Sequence, residues 1–165
     1  MTTVLRDFDA AKVSLFGDWH GNLPFAASAL SAAFNEAKSE LYIHVGDFGF
    51  WRPGSEESDH PTYLADLEVL LAAQDRILLF VDGNHEDHLW LQEFPIGADG
   101  LREISPHLLH VPRGAAFTVR GKKFVGFGGA RSIDRKFRTE GETWFPEELI
   151  SFEDLQTLKL QGEAS

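Results

Sequence analysis

The chain has 165 residues, no cysteine and a formal net charge of −11 at pH 7. This length fits one domain with its own hydrophobic core, so we treat residues 1–165 as a single domain. The absence of cysteine excludes disulfides, thiolate catalysis and cysteine-ligated metal centres. The excess of carboxylates disfavours long nucleic acid as a partner, because binding to its backbone requires a basic surface.

The sequence gives no sign of export or of a membrane. Residues 1–7 lack the basic segment and apolar core of a signal peptide. No apolar run approaches the roughly 20 residues that a membrane span needs. We therefore expect a cytoplasmic protein without a membrane partner.

The first half of the chain alternates between short apolar runs and longer segments with helical spacing. Strands are predicted at Val13–Phe16, Leu41–Val45 and Ile77–Val81, and helices at residues 25–38 and 63–73. This alternation predicts parallel strands joined by right-handed helical crossovers.

The second half changes pattern. Short apolar runs at residues 108–111, 116–119 and 123–127 are separated by turns that contain glycine. They predict antiparallel strands, either in a mixed sheet or at the start of a second sheet. Residues 145–160 predict a helix whose first turn is residues 146–148.

Each of the first three strands runs into a glycine and then a polar residue that could bind a metal. Asp18 follows the first strand, Asp47 the second and Asn84 the third. We expect the three strand ends to converge on one site. His20 lies two residues after Asp18, so in a regular strand both side chains would face one side and could bind one cation together.

These residue types suggest chemistry with two metal ions. Asp47 could bridge two ions, and Asn84 adds a neutral oxygen ligand. Mixed oxygen and nitrogen donors favour manganese, iron or zinc over calcium. Two ions about 3.5–4 Å apart would clamp a phosphoryl group and lower the pKa of a bridging water. His85, beside a ligand, could donate a proton to a leaving alkoxide.

The motifs resemble, in order, the first three motifs of calcineurin-like metallophosphoesterases. They are Gly17-Asp18-Trp19-His20-Gly21-Asn22, Gly46-Asp47 and Gly83-Asn84-His85-Glu86. The resemblance, to the bacterial and phage members above all, implies an α/β sandwich of mixed β-sheets flanked by helices. It also implies hydrolysis of phosphomonoesters or phosphodiesters by a metal-activated hydroxide, with a small phosphoester or nucleotide as substrate.

The resemblance also assigns roles to single residues. Asp18 and His20 would hold the first metal ion, and Asp47 would bridge both ions. Asn84 would bind the second ion, and His85 would be the leaving-group acid. Manganese is the first choice of metal, with iron or zinc as alternatives.

The sequence departs from the family pattern in two places. Phe48 and Gly49 follow Asp47 where the protein-phosphatase branch has an Asp-Arg pair. This argues against a protein serine/threonine phosphatase and removes a phosphate-binding arginine, for which Arg131 or Arg135 could substitute. The later histidine motifs that complete both metal shells are lacking, so we expect a domain that is incomplete at its C-terminus. Its open sheet edges could favour a homo-oligomer.

Three functions follow from these observations. The first is a metal-dependent phosphoesterase. The second is a catalytically weak or inactive metal-binding module that acts through a partner or a dimer. The third is a structural protein with a vestigial site. The intact five-residue set favours the first over the third, whereas the lacking histidines favour the second over a fully active enzyme.

Overall fold

The computed structural model describes residues 5–58 and 60–163. The strands are β1 (Asp7–Phe8), β2 (Val13–Phe16), β3 (Leu41–Val45), β4 (Ile77–Val81), β5 (Arg102–Ser105), β6 (Leu108–His110), β7 (Ala116–Val119) and β8 (Lys122–Val125). The helices are α1 (Leu23–Ala32), α2 (Tyr63–Gln74), α3 (His88–Glu93) and α4 (Phe152–Glu163). A π-helical turn at Ala33–Ala37 extends α1, and 3₁₀ turns cover Arg135–Phe137 and Pro146–Glu148. No described helix is long and apolar enough to cross a bilayer.

The strands form two mixed sheets. The five-stranded sheet has the order β2-β3-β4-β6-β5, in which only β5 runs antiparallel to its neighbour. The three-stranded sheet has the order β1-β7-β8, with β1 parallel and β8 antiparallel to β7. Two mixed sheets flanked by helices confirm the predicted α/β sandwich, and the pairing of β2, β3 and β4 confirms their parallel arrangement.

Successive residues of the central strands pack against different layers. Leu78 of β4 belongs to a buried cluster with Leu67 of α2. The next residue, Leu79, belongs to a second cluster with Phe117 of β7. The centre of the five-stranded sheet is therefore covered on both faces, which explains why β4 is a continuous apolar run.

The second half differs from the prediction in its details. β6 does not pair antiparallel with β7; it lies parallel to β4, where Leu108 and Leu109 are buried on opposite faces of the sheet. β7 and β8 do form the predicted antiparallel hairpin. Pro146–Glu148 is a separate turn, because Leu149 has an extended backbone and α4 begins only at Phe152. The sequence reading missed β1, β5 and α3, although Asp87 is a good N-cap for α3 and accepts a hydrogen bond from the Trp90 amide.

Candidate metal centre

The loops after β2, β3 and β4 meet at one edge of the five-stranded sheet because these strands are parallel and in register. Phe16, His44 and Phe80 are aligned near the strand ends. Beyond them, the His20 amide donates a hydrogen bond to the Asp47 carbonyl at 2.9 Å. The fold thus brings the three predicted strand ends together.

Asp18, His20 and Asp47 all have a left-handed backbone, with φ of 56°, 48° and 55°. This conformation costs a residue other than glycine on the order of 1–3 kcal/mol and is concentrated at functional sites. The prediction that Asp18 and His20 share one side of a regular strand is wrong, because β2 ends at Phe16. The two side chains are still neighbours, with His20 Nε2 3.9 Å from Asp18 Oδ1, and the Asp18 side chain is 83% exposed.

Gly83 allows the third loop to lie directly against the second. A Cβ at this position would be 2.1 Å from Asp47 Oδ1 and 2.4 Å from the Asp47 amide nitrogen. Both distances are far below van der Waals contact, so any side chain here would displace the carboxylate. Glycine at position 83 is therefore a requirement of the site geometry.

Asp47 lies at the centre of the site. Its Oδ1 accepts hydrogen bonds from the backbone amides of Asn84 at 2.9 Å and His85 at 3.3 Å. Its Oδ2 lies 4.0 Å from His20 Nε2. Among the described residues, His20, Asp47 and His85 each place one potential ligand atom within 4.8 Å of the other two. One carboxylate and two imidazoles fit a divalent transition metal ion better than calcium.

Asn84 is oriented by hydrogen bonds that reach the buried Glu148. The Ser132 hydroxyl donates its proton to Glu148 Oε2 at 2.5 Å, and the Ser132 amide donates to Oε1 at 2.7 Å. The same hydroxyl oxygen therefore accepts from Asn84 Nδ2, at 3.1 Å. This arrangement leaves the amide oxygen of Asn84 available to a cation. The sequence did not predict this hydrogen-bond network, because the glycine-rich loop before Ser132 indicated only a strand end.

His85 lies between the cluster and Arg138. Its ring meets the His20 ring edge to face, with centroids 4.6 Å apart. Arg138 Nη2 is 2.9 Å from His85 Nδ1 and 2.7 Å from Nε2. Burial and the positive charge of Arg138 lower the pKa of His85. Sequence reasoning did not single out Arg138, because it is 53 residues from His85 along the chain.

Glu86 joins the second and third loops from within the core. It is fully buried, and its Oε1 accepts a hydrogen bond from the Phe48 amide at 2.8 Å. Burial raises the pKa of Glu86 to about 8. At neutral pH this carboxyl is therefore mainly protonated, and we interpret it as a support for the loops and not as a metal ligand.

A second polar cluster surrounds Asp82, directly after β4. Asp82 Oδ2 accepts from Arg113 Nη2 at 2.6 Å and Nε at 2.9 Å, and Oδ1 accepts from His110 Nε2 at 3.3 Å. His88 Nδ1 lies 4.0 Å from Asp82 Oδ2. Asp82, His88 and His110 are all buried, and Arg113 balances the carboxylate charge. We interpret this cluster as part of the structural core.

A carboxylate–imidazole cluster at the ends of parallel strands in a two-sheet α/β sandwich defines a class of protein whose side chains could hold a divalent metal ion. Comparison with known families matches residues 11–162 to the calcineurin-like phosphoesterases. The chain therefore belongs to the calcineurin-like phosphoesterase family, as its three motifs predicted. Searches of curated proteins and of solved structures found no match.

Proposed function

We propose that this protein is a metal-dependent hydrolase of a small phosphomonoester or phosphodiester, such as a nucleotide. The observation that carries the proposal is the convergence of His20, Asp47 and His85 within 4.8 Å in a chain of the calcineurin-like phosphoesterase family. The net charge of −11 favours a small substrate over long nucleic acid, because a polyanion would be repelled.

The donor set supports two divalent ions, with manganese as the first choice and iron or zinc as alternatives. We assign Asp18 and His20 to the first ion and Asn84 to the second. Asp47 would contact both ions. Its Oδ2 lies on the side of His20, and its Oδ1 lies on the side of Asn84, whose backbone amide donates a hydrogen bond to it. When bound, the ions would neutralise phosphoryl charge and lower the pKa of a water molecule.

We assign His85 to the leaving group. As the scissile P–O bond breaks, the protonated form of His85 would pass a ring proton to the departing alkoxide oxygen, which leaves as an alcohol. Because burial and Arg138 lower the pKa of His85, this protonated form is a stronger acid than an ordinary imidazolium. The half-buried position of His85 beside the cluster supports this role, because the ring borders both the metal ligands and Arg138.

The test combines metal counting with turnover. We expect the manganese-loaded protein to hold two ions by elemental analysis and to hydrolyse p-nitrophenyl phosphate or bis-p-nitrophenyl phosphate. Asp47→Asn should abolish turnover. Asp75→Asn is the matched control, since Asp75 is also an aspartate with left-handed backbone, φ 52°, but caps the far end of α2. Absence of divalent-ion binding by the wild-type protein would refute the proposal.

One observation favours a second candidate, a metal-binding module with little or no activity that acts through a partner or a second copy. His85 lies close enough to His20 and Asp47 to be a third ligand of a single ion, and a ligand cannot also be the acid. His85→Gln separates the two functions. If His85 is the acid, the ion count stays at two and turnover falls; if His85 is a ligand, the protein binds one ion that this variant loses.

A further inference from the structure

Arg138 is held rigidly although it lies in a segment with little regular structure. Its Nε donates to Asp134 Oδ2 at 2.9 Å, and its Nη1 donates to the Thr143 carbonyl at 3.1 Å. Its side chain is only 7% exposed. These two hydrogen bonds fix the plane of the guanidinium, so the direction of the remaining nitrogen, Nη2, is also fixed.

Nη2 points at the metal-binding cluster. It lies 2.7 and 2.9 Å from the ring nitrogens of His85, which is itself a member of the cluster with His20 and Asp47. A guanidinium is always charged and only donates hydrogen bonds. Beside His85 it can satisfy one acceptor nitrogen at most, so a fixed cationic donor remains at the edge of the site.

The two arginines suggested by the sequence do not have this position. The Arg135 guanidinium lies 3.9 Å from the centroid of the Trp144 ring and 3.8 Å from Glu140, and its side chain is 61% exposed. Arg131 is exposed as well. Of the arginines in residues 131–138, Arg138 is the one in contact with a residue of the candidate site.

We propose that Arg138 is the phosphate-binding arginine of this protein and donates from Nη2 to a non-bridging oxygen of the scissile phosphoryl group. A planar, pre-oriented guanidinium is well suited to a tetrahedral oxyanion. Asp134 then acts as a positioning residue that holds Arg138. This inference rests on the proposed function, because it assumes that a phosphoryl group occupies the cluster.

The test measures binding of inorganic phosphate to the manganese-loaded protein by calorimetry, which does not require turnover. Loss of a hydrogen bond to a charged group predicts that Arg138→Met binds phosphate about 10- to 100-fold more weakly, with an unchanged ion count. Arg138→Lys should recover part of the affinity. Asp134→Asn should weaken binding by less than Arg138→Met does. Arg131→Met removes an exposed cation of the same segment and should bind phosphate within twofold of the wild-type protein.

Turnover separates the failure of this inference from the failure of the proposed function. If the wild-type protein hydrolyses esters and Arg138→Met raises KM about 10-fold or more while Arg131→Met does not, the inference stands. Wild-type phosphate affinity in both Arg138→Met and Arg138→Lys would overturn it, even if the enzyme is active. If the wild-type protein binds phosphate in a way that depends on Arg138 but hydrolyses no ester, the anion site is supported and only the hydrolase proposal is refuted. If Arg138→Met does not fold, Arg138→Lys and Asp134→Asn decide.

Discussion

Asp47 and Asp82 follow the neighbouring parallel strands β3 and β4, two residues and one residue after the strand ends, yet their surroundings are opposite. Each lies just after a parallel strand, and each has two histidines nearby, His20 and His85 for Asp47, and His88 and His110 for Asp82. The Asp82 side chain is 5% exposed and accepts two hydrogen bonds from Arg113. The Asp47 side chain is 20% exposed, and it accepts hydrogen bonds from the backbone amides of Asn84 and His85.

Residue type alone therefore does not distinguish a candidate metal ligand such as Asp47 from a structural carboxylate such as Asp82. Burial alone would raise the pKa of Asp82, but the hydrogen bond from His110 and the charge of Arg113 hold it well below its usual range. Its charge is thus neutralised within the fold. The charge of Asp47 has no comparable internal partner in the described chain, so a bound cation is the natural counter-charge.

Asp82→Asn should destabilise the protein by about 3–5 kcal/mol, because it leaves Arg113, whose side chain is only 10% exposed, without its main counter-charge. Urea unfolding of the metal-free protein measures this loss. Asp154 is the matched control, since it also contacts Arg113, at 3.3 Å, but is 23% exposed. Asp154→Asn should cost about 1 kcal/mol or less. An Asp82→Asn loss no larger than that of the control would contradict the structural role of Asp82.

Asp47→Asn should have the opposite effect to Asp82→Asn, with little change in stability and a large loss of manganese affinity. Asparagine also tolerates left-handed backbone and can accept the same two amide hydrogen bonds, so metal-free stability should change by less than about 1 kcal/mol. Manganese affinity should fall by at least about 100-fold, the upper end of what loss of an outer-shell partner costs. Calorimetric titration of the variant with manganese measures this loss, and Asp75→Asn, titrated in parallel, is the control. Unchanged affinity would remove Asp47 from the metal site.

Glu86 is buried like Asp82 but accepts its hydrogen bond without a cation, and its folded-state pKa is about 8 against 4.5 for the free group. A raised folded pKa means that the folded state binds more protons, so stability is lost as pH rises from about 4.5 to 8. The slope is at most about 1.4 kcal/mol per pH unit. In the presence of a metal chelator, the unfolding free energy of Glu86→Gln should fall less steeply between pH 5 and 8 than that of the wild-type protein. Parallel curves for the two proteins would show that Glu86 does not titrate there.

Ser132→Ala should leave the fold intact and weaken manganese binding about 10-fold, because Asn84 loses the partner that orients its amide. Only the ion bound through Asn84 should be affected, so a titration that resolves two sites would show one weakened. The control is Ser31→Ala. It removes a similar but exposed hydrogen bond, which Asn35 Nδ2 in the π-helical turn donates to the Ser31 hydroxyl of α1 at 3.2 Å. Equal effects of both variants would argue against an orienting role for Ser132.

Much of the central fold could be predicted from local sequence. The runs Val13–Phe16, Leu41–Val45 and Ile77–Val81 form strands at the predicted residues, because each is mostly apolar and bounded by polar or glycine-containing segments. The predicted helix at residues 63–73 matches α2, Tyr63–Gln74, for a related reason: its leucines recur at helical spacing. β5 and α3 were missed because they are short and have weak periodicity.

The sequence by itself determined the α/β class, the family and a set of five candidate residues, since glycines and polar residues after apolar runs are a local pattern. Tertiary structure decided which of these residues meet: His20, Asp47 and His85 cluster, while Asp18 lies at the exposed rim. It also decided the partners from distant segments, Ser132 and Glu148 for Asn84 and Arg138 for His85. Such pairs are separated by tens of residues, so only chain packing brings them into contact. The same packing places Arg113 against Asp82 and leaves Asp47 open to a cation.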